Sequence, residues 1–218
     1  MHKTIAIVGA AGNMGSGLAR NLAKSGHRIL IAGRTQSKLK DLLASIKTGS
    51  PTADVDILDC SREASWEADI VILAVPYAGQ AEVAARIKDV VTGKIVVSMA
   101  NPLNEKYDGL VTRPGSSAAE ELAKLLPHSK VVKAFNTVYA AAFANPRIGG
   151  TIVDAFVAGD DEEAVSVVSD LVRDAGFNPL TAGTLSASRT LEGMTLLLIG
   201  LTMKYNYNWV AGWKVLHE

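Results

Sequence analysis

The chain has 218 residues, of which 48% are hydrophobic and 20% charged, a composition typical of a folded globular protein and not of a disordered or fibrous one. Its 22 Lys and Arg residues balance its 22 Asp and Glu residues, which argues against nucleic acid or an anionic membrane surface as a partner. The single cysteine, Cys60, excludes an internal disulfide framework and a cysteine-rich zinc site, and it suits a reducing, cytoplasmic environment.

Strand and helix patterns alternate through about the first 135 residues. Lys3–Gly9 is a nearly continuous apolar, β-branched run, as expected for a strand buried on both faces of a parallel sheet. Asn13–Ser25 has apolar residues at helical spacing and is followed by Gly26 at the expected helix end. The other predicted strands are Arg28–Ala32, Val55–Leu58, Asp69–Val75, Lys94–Met99 and Val131–Phe135, and the other predicted helices are Gln36–Ile46, Gln80–Val90 and Ser116–Leu126. Strands separated by helices in this way predict an α/β fold with a Rossmann-like, doubly wound parallel sheet.

The pattern changes near residue 145. The predicted elements of this last part are a short helix at Tyr139–Ala144, strands at Thr151–Val157 and Phe177–Leu180, and helices at Asp161–Ala175 and Leu185–Tyr205. We therefore predict a Rossmann domain over residues 1–145 and a small C-terminal α+β domain over residues 146–218 that packs directly on it.

Targeting and membrane segments are not expected. The first predicted strand begins at Lys3, which leaves no room for a signal peptide. The longest apolar stretch, residues 194–203, is interrupted by Thr195 and Gly200 and is too short to span a bilayer. The prediction is a cytoplasmic protein without a membrane contact and without a metal site.

Three glycines follow the first strand with the spacing G-x-x-G-x-x-G, one position different from the usual dinucleotide-binding fingerprint. Gly9 would allow the tight turn, Gly12 would let the backbone approach a pyrophosphate, and Gly15 would let the helix lie close to the strand. The helix amides at Asn13 and Met14 would then face the anion. The alternative is a glycine-rich turn in another kind of α/β protein.

The end of the second strand indicates which dinucleotide is bound. Enzymes that use NAD place an Asp or Glu there, against the ribose 2′-hydroxyl. This chain has Gly33, Arg34 and Thr35, with Lys38 four residues after Arg34, and two cations would attract an adenosine 2′-phosphate. NADP is therefore favoured over NAD, although both cations could also form a solvated helix start.

The nicotinamide is expected beyond the carboxyl ends of the later strands, at Ala74–Tyr77, Met99–Pro102 and Ala134–Thr137. Pro76 and Pro102 would give a rigid edge for a flat ring, or they could simply end their strands. No Ser-His-Asp order, no metal-ligand cluster and no histidine at a predicted strand end is evident. This scarcity of titratable groups suits hydride transfer, which depends on positioning and on exclusion of water, and we predict no catalytic acid or base.

Together these segments resemble the F420H2:NADP oxidoreductases, which are NADPH-dependent reductases of the deazaflavin coenzyme F420. The resemblance covers essentially the whole chain. The matching segments are Gly9–Gly15, Gly33–Arg34 with Lys38, Val75–Pro76, Phe135–Thr137 followed by Ala140–Asn145, Gly183–Arg189, and Gly212–Lys214.

This resemblance implies an NADP-binding domain, a C-terminal cap and dimerisation domain, and a cleft for both cofactors. It implies NADP contacts at Ala11–Met14, Gly33, Arg34, Lys38, Val75, Pro76 and Ala140. With the turn and strand-end positions, the predicted cofactor-binding residues are Gly9, Ala11, Gly12, Asn13, Met14, Gly15, Gly33, Arg34, Thr35, Lys38, Val75, Pro76, Tyr77, Ala100, Asn101, Pro102, Asn136 and Ala140. The deazaflavin would be enclosed by the loop Leu103–Ser116 and by Ser186, Ser188 and Arg189, with an internal salt bridge as the alternative role of Arg189.

The same resemblance implies a homodimer through the helix Leu185–Tyr205. The chain departs from archaeal-type members at Gly33, where they tend to have a Ser, and at Asn136, where they tend to have a His. The departures leave the acceptor open, so that FMN, FAD or another small molecule could be reduced. Two other functions also stay open: a β-hydroxyacid or imine dehydrogenase, which begins with a similar glycine loop, and a non-catalytic NADPH sensor.

Overall fold

Apolar strands form the centre of the molecule, which a computed structural model describes over residues 2–217. In β1, Ile5 and Ile7 belong to one core and Ala6 and Val8 to a second, because alternate side chains point to opposite faces of the sheet. The strands within the described residues are β1 (Thr4–Val8), β2 (Arg28–Ala32), β3 (Val55–Leu58), β4 (Ile70–Leu73), β5 (Ile95–Ser98), β6 (Lys130–Lys133), β7 (Arg147–Ile148), β8 (Thr151–Ile152), β9 (Asp154–Gly159) and β10 (Asn178–Gly183).

Eight of these strands form one sheet in the order β10-β9-β6-β5-β4-β1-β2-β3. The strands β1 to β6 are all parallel, and β1 pairs with β2 on one side and with β4 on the other. The chain therefore reverses its direction of winding between β1 and β4, where ligands bind in open α/β sheets. This order confirms the predicted Rossmann-like α/β fold.

The helices of the structure are α1 (Asn13–Leu22), α2 (Gln36–Gly49), α3 (Ser61–Glu67), α4 (Tyr77–Ile87), α5 (Ala118–Leu125), α6 (Glu162–Asp174) and α7 (Ser188–Tyr205). Helix α3 was not predicted, because its seven residues bury only Ala64 and Ser65 and show no helical periodicity. Helix α4 begins at Tyr77 instead of Gln80, directly after Pro76. None of the helices within residues 2–217 is both long enough and apolar enough to cross a bilayer.

The last part of the chain extends the sheet. The predicted strand Thr151–Val157 is two strands in the structure: β8 pairs with β7 in a hairpin, and β9 joins the main sheet antiparallel to β6. Strand β10 then pairs with β9 in parallel. The segments 1–145 and 146–218 thus share one sheet, and the division between them into two domains stays a prediction.

The segment after α7 folds back onto β9. The buried Asp154 carboxylate accepts hydrogen bonds from Lys214 Nζ, from the Val215 amide and from Asn178 Nδ2, each at 2.7 Å. Burial alone would raise the pKa of Asp154, but these hydrogen bonds outweigh it and lower the pKa. Residues 213–215 are therefore held against β9 by this carboxylate and by the hydrogen bond from the Asp154 amide to the Trp213 carbonyl oxygen at 2.9 Å.

Candidate functional site

The glycine loop lies where the carboxyl ends of β1, β2 and β4 meet. The Gly9 and Ala10 amides donate to the Ala32 carbonyl oxygen at 2.8 and 3.2 Å, which fixes the loop to the end of β2. Gly9 has a φ of +91°, and a Cβ there would lie 2.4 Å from the Ala74 carbonyl oxygen. A Cβ at Gly15 would lie 2.5 Å from the Gly9 carbonyl oxygen. Packing within the protein therefore requires glycine at both positions.

Gly12 differs from its two neighbours in the motif. Its φ of −79° and ψ of 166° are extended backbone that any residue adopts. A Cβ there would approach only the Gly9 carbonyl oxygen, at 3.4 Å. Gly33 is also open, with its nearest neighbours at 3.7 Å. The protein's own packing does not require glycine at Gly12, and a ligand that approaches the backbone would supply the reason.

Three helices that begin at this edge are suited to an anion. Helices α1, α2 and α4 have neither a side-chain N-cap hydrogen bond nor an acidic residue in the first turn. By contrast, α5 and α6 are capped by Ser117 and Asp161 and have two glutamates each in the first turn. The first-turn amides of α1, including those of Asn13 and Met14, have no preceding helical carbonyl to bond. These N-termini present partial positive charge that no carboxylate of the same turn neutralises.

Two cations next to the glycine loop have no carboxylate partner. Arg34 and Lys38 are exposed, and neither forms an ion pair with a carboxylate of residues 2–217, whereas Arg28 and Arg62 each do. Thr35 is the N-cap residue of α2 and its side chain makes no capping hydrogen bond. The end of β2 therefore offers two cations that can bind an anion from solution.

The predicted contact of Arg34 with the 2′-phosphate can be tested by substitution, with another exposed cation as the control. We expect Arg34→Ala to weaken NADPH binding by about 1 to 3 kcal/mol, the range for the loss of a charge-assisted contact, and to leave NADH binding nearly unchanged. Isothermal titration with both dinucleotides measures the difference. Lys24→Ala removes one exposed cation just beyond the far end of α1 and is the control. An equal loss for NADPH and NADH would contradict a 2′-phosphate contact.

At the end of β4 the chain enters α4 through the half-buried Val75 and the exposed Pro76. The Tyr77 hydroxyl donates to Glu121 Oε2 on α5 at 2.6 Å. This hydrogen bond to the carboxylate, together with burial, raises the pKa of Tyr77 to about 12. The phenol of Tyr77 therefore stays protonated near neutral pH, and it joins α4 to α5.

Asn101 and Asn136 join the loops that follow β5 and β6. Asn101 Nδ2 donates to the Asn136 carbonyl oxygen, and Asn136 Nδ2 donates to Asn101 Oδ1, both at 3.0 Å. Asn136 Nδ2 also donates to the Leu191 carbonyl oxygen of α7 at 3.0 Å, and the residue is buried. Next to Asn101, Ala100 and Pro102 are buried as well. The amide nitrogen of Asn136 is thus committed to protein contacts, and the cofactor contacts of these residues stay predictions.

The chain leaves β6 through an unusual turn. Phe135 is fully buried and has a φ of +63°, a backbone conformation that residues other than glycine adopt at a cost in free energy. The packing around Phe135 must therefore hold the backbone in this conformation. Its ring lies 6.2 Å from that of Phe143, in the short 3₁₀ helix Ala140–Phe143. This packing places Ala140, a predicted NADP contact, on a fixed segment beside α1.

The three residues predicted for the second substrate lie in different environments. Ser186 is exposed, and its hydroxyl lies 2.9 Å from Thr184 Oγ1. Ser188 is fully buried, which is not the position of a ligand contact in this conformation. Arg189 forms an ion pair with Glu120, with Nε at 2.9 Å from Oε2. Of the two roles predicted for Arg189, a deazaflavin contact and an internal salt bridge, the structure shows the salt bridge. Contacts with the acceptor at these positions stay predictions.

A buried ion pair at this edge was not predicted from the sequence. Lys133 Nζ lies 2.6 Å from Glu192 Oε1, and the two side chains are 0% and 1% exposed. Lys133 also donates to the Ala100 carbonyl oxygen, and Glu192 Oε2 accepts from the Ala118 amide at 3.0 Å. Burial lowers the pKa of Lys133, and the Glu192 carboxylate opposes that shift. The sequence indicates this pair only through two charged residues in apolar elements: Lys133 in the predicted strand 131–135 and Glu192 in the predicted helix Leu185–Tyr205.

The fold and this edge define a Rossmann protein that binds a dinucleotide. The sequence model of the family "NADP oxidoreductase coenzyme F420-dependent" matches residues 4–102. An F420-dependent NADP reductase of Methanocaldococcus jannaschii is 37% identical over 213 residues, which covers 92% of this chain and 93% of that one. Another, from Methanothermobacter marburgensis, is 29% identical over 209 residues and covers 92% of both chains. The chain therefore belongs to the family of F420-dependent NADP reductases, which confirms the resemblance.

A solved structure agrees with the fold. A protein of Arthrobacter sp. FB24, provisionally described as an F420-dependent NADP reductase, has a TM-score of 0.85 and 24% identity, and the match covers 99% of this chain and 100% of that one. This likeness extends over the C-terminal part as well as over the Rossmann sheet.

Proposed function

We propose that this protein is an oxidoreductase that transfers hydride between NADP(H) and the deazaflavin coenzyme F420. The observation that carries the proposal is the two exposed cations Arg34 and Lys38, which form no ion pair within residues 2–217, together with the open backbone at Gly12, in a chain of this family. NADPH supplies a hydride on its nicotinamide ring, and the deazaflavin ring of F420 accepts one.

The residues present fit NADP. The backbone at Gly12 and the first-turn amides of α1 would hold the pyrophosphate, because they combine an open approach with partial positive charge. Arg34 and Lys38 would hold the 2′-phosphate. Val75 and Pro76 on one side, and the loop beginning at Ala100 on the other, would bound the nicotinamide half.

The chemistry asked of the protein is orientation of two flat rings and exclusion of water. The phenol of Tyr77, a titratable group at the start of α4, is held protonated by Glu121. We propose that no side chain acts as a catalytic acid or base in the hydride step, because this step depends on positioning and on exclusion of water. We also propose that the protein is cytoplasmic, that it has no nucleic-acid partner, and that residues 1–145 bind NADP.

The acceptor can be identified by a spectroscopic screen of the purified protein. We expect NADPH to bleach the visible absorbance of F420, with NADH much less effective because it lacks the 2′-phosphate. Reduction of FMN or FAD but not F420 would replace the proposal by a flavin reductase. Tight NADPH binding without reduction of any acceptor would favour a sensor.

We propose further that residues 146–218 form a homodimer through α7. Leu197 and Met203 on this helix are 55% and 61% exposed, and exposed apolar surface of this kind marks contact sites. Gly193 and Gly200 are spaced near Leu197 on the same side of the helix, and a Cβ at either would meet nothing within 4 Å. A helix of a second copy could therefore approach α7 closely.

A charge on this face should separate the two copies. We expect Leu197→Glu to convert the wild-type dimer to a monomer in sedimentation velocity, because the interface would have to bury an unpaired carboxylate. Trp66→Glu places the same charge on an exposed aromatic residue of α3 and is the control, expected to stay dimeric. A wild-type monomer, or a Leu197→Glu dimer, would rule out this interface.

A further inference from the structure

Two side-chain pairs, which we call the α7 clamp, join α7 to the loop after β5. The first is the ion pair of Lys133 and Glu192, and the second is the amide pair of Asn101 and Asn136. Lys133 Nζ donates a hydrogen bond to the carbonyl oxygen of Ala100. Asn136 Nδ2 donates one to the side chain of Asn101, the residue that follows Ala100. Successive residues of this loop are thus each held by a side chain from the end of β6.

Both halves of the clamp are anchored on the same helix. Glu192 belongs to α7, and Asn136 bonds the Leu191 carbonyl and the hydroxyl of Thr195 one turn further along. Thr195 Oγ1 also donates to the Asn136 carbonyl oxygen at 2.9 Å. Helix α7 is therefore connected to the loop that begins at Ala100 by a polar network whose members Lys133, Asn136, Glu192 and Thr195 are buried.

Apolar packing alone would dock a helix at a lower desolvation cost. Taking a lysine and a glutamate out of water is expensive, and well-packed apolar residues of similar volume are often as stable or more so. The hydrogen bonds that the pair does make are directed at two backbone groups, the Ala100 carbonyl and the Ala118 amide. The pair therefore specifies where these two segments lie, and Ala100 belongs to the wall predicted for the nicotinamide.

We propose that Lys133 and Glu192 are positioning residues that set the wall at residues 100–102 for the nicotinamide half of NADP. This inference rests on the proposed function, since it assigns a task to the wall of that site. The two halves of NADP would then be bound by different parts of the protein. Binding of the phosphates and adenosine depends on Gly12 and Arg34, whereas the position of the nicotinamide half depends on the α7 clamp.

The test uses a double variant, Lys133→Met with Glu192→Leu, which removes both charges together and keeps similar side-chain volumes. The matched control is Arg62→Gln with Asp89→Asn, which removes an exposed ion pair elsewhere on the surface. Both double variants leave the net charge unchanged. A milder third variant, Thr195→Val, removes only the hydroxyl that bonds Asn136 and tests the same link if the double variant does not fold.

The first readout needs no cofactor. Hydrogen exchange of the peptide that covers residues 98–104 is expected to be faster in the clamp variants than in wild type, whereas that of the peptide covering residues 9–15 is unchanged. Unchanged exchange at residues 98–104 in both the Lys133→Met, Glu192→Leu double variant and Thr195→Val would overturn the inference. This result does not depend on which acceptor the protein reduces, so it is separate from a failure of the proposed function in the acceptor screen.

The second readout separates the halves of the cofactor. Binding of 2′,5′-ADP, which contains only the adenosine and its phosphates, is expected to stay the same, whereas NADP binding weakens. The kcat for hydride transfer is expected to fall by about tenfold to a hundredfold, because small displacements of reacting groups have effects of this size. Equal losses for 2′,5′-ADP and NADP would indicate general loosening and contradict a positioning role, as would a wild-type kcat in the double variant.

Discussion

Gly12→Val is expected to weaken NADPH binding at least about a hundredfold, equivalent to about 2.8 kcal/mol, while the melting temperature stays close to that of wild type. The protein itself tolerates the side chain, since the backbone at Gly12 is extended and a Cβ meets only one carbonyl oxygen at 3.4 Å. The cofactor would not tolerate it, because the branched side chain would occupy the space through which the pyrophosphate approaches the backbone.

Two comparisons make this result specific. Gly49→Val introduces the same side chain at an exposed glycine with open surroundings at the end of α2, and it should leave NADPH binding unchanged. Gly15→Val should lower the melting temperature, since a Cβ there would lie 2.5 Å from a backbone oxygen. Titration calorimetry and thermal unfolding measure both quantities. Retained NADPH affinity in Gly12→Val would show that the loop does not approach the pyrophosphate.

Lys133→Met alone is expected to lower the free energy of unfolding by about 3 to 5 kcal/mol, since it leaves the Glu192 carboxylate buried without its partner. The Ala118 amide would still donate to this carboxylate, but one neutral hydrogen-bond donor does not replace an ammonium. Adding Glu192→Leu removes the stranded charge, and the double variant should recover most of the lost stability.

Urea unfolding of the wild type, the two single variants and the double variant forms a complete double-mutant cycle. The expected pattern is a strong positive coupling, with each single variant less stable than the double. A single variant as stable as the wild type would mean that the pair is not desolvated as the structure shows. A double variant much less stable than the wild type would mean that the ion pair contributes net stability, contrary to the desolvation argument.

Much of the Rossmann half could be predicted from local sequence. Strands β1, β2 and β3 and the start of α1 were placed within one or two residues, because buried parallel strands are continuous apolar runs and glycines mark the turn. The glycine motif of Gly9, Gly12 and Gly15 and the cations Arg34 and Lys38 are also visible in the sequence alone. Helix α3 escaped prediction because one short helix with two buried residues has no periodicity to detect.

The contacts that complete the site are long-range. Lys133 and Glu192 are 59 residues apart, and the sequence shows each only as one charge inside an apolar element. Their pairing depends on α7 lying across the end of β6, which no local pattern specifies. The same applies to β9, whose antiparallel pairing with β6 brings the C-terminal segment into the main sheet.

The sequence by itself therefore determined the class of fold, the glycine turn after the first strand and the preference for NADP, because glycine spacing, strand hydrophobicity and local charge act within a few residues of the chain. Only the tertiary structure decided that Gly9 and Gly15 are required by packing whereas Gly12 is open, that Arg189 is paired with Glu120, and that Lys133 of a buried ion pair donates to the Ala100 carbonyl oxygen. These are properties of space between distant segments, and desolvation and steric contact are defined only once the segments have packed together.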